Sequence, residues 1–90
     1  MPYIKKVDRE KFDAVLSKFV ETMPVNEGEF NYLISSMLNI LFEGTSKNYA
    51  AVNNLMGVLE CAKLEFYRRV AAPYEDKKTI ENGDVYVSKK

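Results

Sequence analysis

The chain is predicted to be all-α, a three-helix bundle with a long third helix and an extended or small-hairpin C-terminal tail. Three observations predict it. Apolar residues recur at three- and four-residue steps, turn-forming residues separate the periodic runs, and no proline interrupts the chain between Pro24 and Pro73. A chain of 90 residues has room for one core, so 1–90 is taken as a single helical domain.

The first helix is expected over about 8–23. Asp8 is placed to cap it, and Phe12, Val15, Leu16, Phe19, Val20 and Met23 form one apolar face that Pro24 closes. The second is expected over about 28–43, after the turn chemistry of Asn26-Glu27-Gly28. Phe30, Leu33, Ile34, Met37, Leu38 and Leu41 repeat the pattern, with Gly44 as the C-terminal cap. Ile40 and Phe42 lie off that stripe, which predicts a helix enclosed on more than one side.

Thr45, Ser46 and Asn48 are capable helix starters, and the third helix is expected over about 46–72. Val52, Leu55, Met56, Leu59, Ala62, Phe66 and Val70 draw its stripe. At ~1.5 Å per residue this helix would be about 35 to 40 Å long, more than the first two helices can cover. The tail, 73–90, begins with the polar run Pro73-Tyr74-Glu75-Asp76-Lys77-Lys78. Asn82-Gly83 favours a tight turn, so a hairpin joining Lys78–Ile80 to Val85–Val87 competes with an extended arm lying on the bundle or on a second subunit.

Composition narrows the chemistry. The 13 basic and 13 acidic residues balance, which gives no global attraction to DNA or an anionic membrane and disfavours nucleic acid as a partner. No apolar run is long enough to cross a bilayer and no apolar leader opens the chain, so a cytoplasmic location is expected. With no histidine, histidine triads and zinc hydrolysis are excluded. Cys61 stands mid-helix without a base and reads as a packing residue. No cofactor, metal or catalytic residue is assigned, and the protein is expected not to be an enzyme.

The polar face of the third helix is the candidate site. Tyr49, Asn53, Glu60, Lys63 and Tyr67 share one side by helical spacing, and Arg68 and Arg69 follow. Tyrosine offers a flat plate with a hydroxyl, and arginine forks around phosphate or carboxylate. Tyr49, Asn53, Lys63, Tyr67, Arg68 and Arg69 are therefore the candidate residues for a planar anionic ligand such as a nucleotide. The same residues also read as a solvated face, with Glu60 and Lys63 as a surface ion pair and Arg68-Arg69 complementing the helix dipole.

The strings MPYIKK, GEFNYLIS, NYAAVN, GVLECAKLEFYRRV, PYEDKK and NGDVY resemble a family of small uncharacterised prokaryotic and phage proteins that carry a domain of unknown function. The resemblance covers nearly the whole chain and implies no activity. A looser likeness, in size and helical character alone, is to phage anti-defence proteins that sequester nucleotide signals where subunits meet. The leading expectation is thus a non-enzymatic homo-oligomer that sequesters a small anionic nucleotide-like molecule, with an anti-defence role in phage. The alternative is a protein-interaction module, an inhibitor or adaptor.

Overall fold

The structure, a computed structural model, describes residues 4–86. It is all-α, with three helices of which the third is long, followed by a short extended tail. The chain divides into two units, Met1–Asn48 and Tyr49–Lys90.

In the first unit, helix α1 spans Asp13–Glu21 and α2 spans Glu27–Glu43. The expected start of the first helix at Asp8 is corrected. Two 3-10 turns, Lys6–Asp8 and Glu10–Phe12, precede α1, and Asp8 makes no side-chain cap; its amide closes the first turn on the Lys5 carbonyl at 2.9 Å. The physical reason is local. Arg9 and Lys11 follow Asp8 where a helix start favours acids, and Val7 before it is 74% exposed, so little rewards the extra bonds of an α-turn there. The helix ends where the Thr22 hydroxyl donates to the Lys18 carbonyl at 2.8 Å, just before Pro24.

Helix α2 begins where its sequence says it should. The Asn26 side chain accepts the Glu29 amide at 2.8 Å, and the Glu29 carboxylate reaches back to accept the Val25 amide at 2.9 Å. The Glu29 amide, orphaned by the helix start, and the Val25 amide just before the cap are thereby satisfied from an Asn-x-x-Glu spacing. Gly44 closes the helix, its amide donating to the Leu41 carbonyl while the Thr45 amide donates to that of Phe42, and it does so at φ −85, without the left-handed conformation glycine often supplies. That conformation falls to Lys47, at φ 56, just before the third helix.

In the second unit, α3 spans Tyr49–Phe66 and α4 spans Ala72–Asn82, joined without a break by a π-helical turn, Tyr67–Ala71. The expected helix end at residue 72 is corrected: the tail begins at Gly83, and helix runs through Pro73. Proline in an α-helix clashes with the carbonyl four residues back and lacks the amide that would bond it. Here the Ala72 amide bonds Tyr67, five residues back, so the wider turn before Pro73 leaves room for its ring. The proposed hairpin is overturned as well, because Lys78–Ile80 is helical; no strand occurs among the described residues, and Val87 lies outside them.

No side chain among the described residues is buried. The most covered apolar ones, among them Leu33, Ile34, Leu38 and Phe42 of α2 and Leu55 and Leu59 of α3, are half-buried. The enclosure expected for the second helix therefore stops at half-burial. Val52, Met56, Phe66 and Val70, the rest of the large residues of the third-helix stripe, stay 44–64% exposed.

Candidate functional site

All six candidate residues belong to the second unit, on the continuous helical run that starts at Tyr49. Tyr49 opens α3 and is 79% exposed, with Asn53 one turn on and also exposed. Lys63 pairs with Glu60 at 3.5 Å on the helix surface, as the solvated-face reading expects. Tyr67, Arg68 and Arg69 are the first three residues of the π turn.

Around that turn the side chains are tied to carboxylates. Arg68 Nη2 lies 2.9 Å and Arg69 Nε 3.2 Å from the same Glu65 oxygen, Oε2. Each guanidinium thus gives one nitrogen to Glu65 and keeps other donors for a further partner. The Tyr67 hydroxyl donates to Glu75 Oε1 at 2.8 Å, and that carboxylate pushes the phenol above its usual titration range. Glu65 and Glu75 were not singled out from the sequence as site residues. Glu65 was legible at the three- and four-residue spacing of helix-surface pairs; Glu75, eight residues beyond Tyr67, was not.

The structure therefore joins Arg68 and Arg69 through Glu65, ties the neighbouring Tyr67 to Glu75, sets Lys63 one turn before them, and separates the other two. Eighteen residues at ~1.5 Å each put Tyr49 about 27 Å along the helix from Tyr67. One small ligand does not touch both on a single chain.

A second feature adjoins the π turn. After Gly83, at φ 86, the tail brings Val85 and Tyr86 to an open groove of about 730 Å³ that Tyr67, Tyr74, Glu75 and Asp76 also line. Of the candidate residues only Tyr67 reaches it. Lys78 already places its ammonium 5.6 Å from the centre of the Tyr74 ring and 3.2 Å from Glu81. The groove is tyrosine-rich and mainly acidic, the opposite polarity to the Arg68-Arg69 side.

Among the described residues no group of three or more His, Cys, Asp or Glu is arranged to hold a metal ion, and no helix is long and apolar enough to cross a membrane. Cys61 is exposed and unpaired. A family model described as a domain of unknown function (DUF6899) matches residues 1–85. No curated protein and no solved structure matches the chain.

Proposed function

The chain belongs to this family of unknown function, so membership brings no activity with it, and we propose from the residues themselves that the protein is a non-enzymatic homo-oligomer holding a small anionic, nucleotide-like ligand. The ligand face is that of Tyr49, Asn53, Lys63, Tyr67, Arg68 and Arg69. Holding without turnover amounts to sequestration, the service that phage anti-defence proteins of this size provide.

One observation carries the reading: two adjacent guanidiniums converge on a single carboxylate oxygen of Glu65 at a π turn. Exposed ion pairs of this kind are weak and exchange readily, so a phosphate can take the place of Glu65 and meet both forks at once. π turns also recur at functional sites, because the irregular backbone persists where something selects for it.

Calorimetric titration with mononucleotides, cyclic dinucleotides and inorganic phosphate tests this. At least one nucleotide should bind more tightly than phosphate, and Arg68→Ala or Arg69→Ala should weaken it about tenfold or more, since a hydrogen bond to a charged group contributes about 1.5–3 kcal/mol. Folded protein that binds none of these probes, or binds them equally well without the arginines, refutes the reading.

A second reading, the protein-interaction module, draws on the apolar side chains left exposed along every helix. It predicts a stoichiometric protein partner whose capture is indifferent to nucleotides.

A further inference from the structure

We infer that the long helix pairs with the same helix of a second copy, antiparallel, about a two-fold axis at Leu59, and that this pairing brings Tyr49 and Asn53 of one copy beside Tyr67 of the other. The inference rests on the reading above and names the partner of that same site. Three observations lead to it.

The first is the stripe itself. A π turn takes one residue more than an α turn, so the residue two turns beyond Phe66 on the same face is Tyr74, where an unbroken α-helix would put Pro73. The structure thus extends the stripe from Val52 to Tyr74, about 33 Å at ~1.5 Å per residue. Neither α1, with 9 residues, nor α2, with 17, matches that length, whereas a second copy matches it by identity.

The second is area. Phe66 is 64% and Tyr74 60% exposed, Met56 62%, Val70 51% and Val52 44%. Rings that each bury on the order of 150–250 Å² when fully covered make this a patch of several hundred Å², the size at which an exposed apolar surface marks an interaction site and a large part of the ~800 Å² per partner of a standard interface.

The third is symmetry about Leu59. Val52 lies seven residues before it and Phe66 seven after, so an antiparallel two-fold sets small Val52 against large Phe66 at both ends, an isologous fit with Leu59 meeting its own mate. The same axis sets Tyr49, ten residues before Leu59, within two residues of the level of Tyr67, eight after it. In an antiparallel pair the corresponding flanks of the two helices lie on one side. Tyr49 and Asn53 of one copy then join Tyr67 of the other, which shares their flank at about 100° per residue, closing the gap of about 27 Å that divides Tyr49 from Tyr67 on a single chain. Opposed helix dipoles favour the same orientation.

Disulfide trapping in a Cys61→Ser background tests this. Mixed Val52→Cys and Phe66→Cys chains should form a covalent dimer under mild oxidation, Leu59→Cys should cross-link to itself, and Val52→Cys alone should not. Sedimentation of the unsubstituted protein should show an even-numbered assembly. Phe66→Asp should dissociate it while Val58→Asp, off the stripe, should not. A monomer at all concentrations, as when the stripe is covered within its own chain, overturns the inference; so does cross-linking of Val52→Cys alone, the mark of parallel helices. Because these readouts use no ligand, a trapped dimer that binds no nucleotide would refute the proposed function and leave the pairing standing.

Discussion

Tyr67 and Glu75 are joined by a hydrogen bond of 2.8 Å that runs from the first residue of the π turn into the first turn of α4. The phenol is the donor, and the accepting carboxylate raises its titration above the ordinary value of about 10. A raised value in the folded state means that the bond's contribution to stability is present below pH ~10 and disappears as the pH rises through the raised value. Of six tyrosines, Tyr67 is expected to titrate late. Tyrosinate absorbance followed against pH should lose its most alkaline step in Tyr67→Phe, and Glu75→Gln should move that step back toward the others. Unaltered curves, apart from the missing chromophore, would show that the bond does not form in solution.

The start of α2 offers a test of local stability. Asn26 and Glu29 together satisfy two amides, so Asn26→Ala should cost about 1 kcal/mol and Asn26→Gly only a few tenths. Urea denaturation of the two variants measures the difference. Equal losses would mean that the side-chain bond contributes nothing.

Two glycines should respond in opposite directions. Gly57 lies inside α3 with open space where a side chain would begin, so Gly57→Ala should stabilise the protein by roughly 0.5–1 kcal/mol. Gly83 has equal room but sits at φ 86 and ψ 143, a conformation that costs other residues of order 1–3 kcal/mol. Gly83→Ala should therefore release the tail from the tyrosine groove, measured as faster proteolysis after Asn82 with the helices unchanged. A destabilised Gly57→Ala would place a packed neighbour against that side of α3.

What could be read in advance follows from how local each cause is. The bounds of α2 were legible because Asn26, Glu29 and Gly44 act within four residues of the helix ends they set. Asp8 carries the same chemistry as Asn26, and Phe12, Val15 and Leu16 follow it at the spacing of Phe30, Leu33 and Ile34, but Lys11 stands where Glu29 completes the start of α2, and the cap is not made. From the sequence Pro73 reads as a stop, because its effect depends on the backbone before it, which periodicity does not report. Shared spacing put Tyr49, Asn53, Lys63 and Tyr67 on one flank, but spacing around a helix is silent about distance along it. The division of the site into two groups emerged only with the full length of the helix.

The last prediction concerns Pro73 itself. If its ring is what holds the turn open, Pro73→Ala should let residues 67–71 relax into α-helix, since an alanine amide can bond the Arg69 carbonyl and the clash is gone. Helix content by circular dichroism should hold or rise. The turn's extra residue also brings Glu75 under Tyr67; without it that place, two turns on, belongs to Tyr74. Relaxation should therefore break the Tyr67–Glu75 bond, and the late tyrosine step should return to the ordinary range in Pro73→Ala even though both partners are intact. The same rotation would swing Tyr74 away from the face of Phe66, shortening the apolar stripe and weakening self-association in sedimentation. Unchanged titration with intact helices would assign the π turn to the Glu65, Arg68 and Arg69 contacts and free Pro73 of that role.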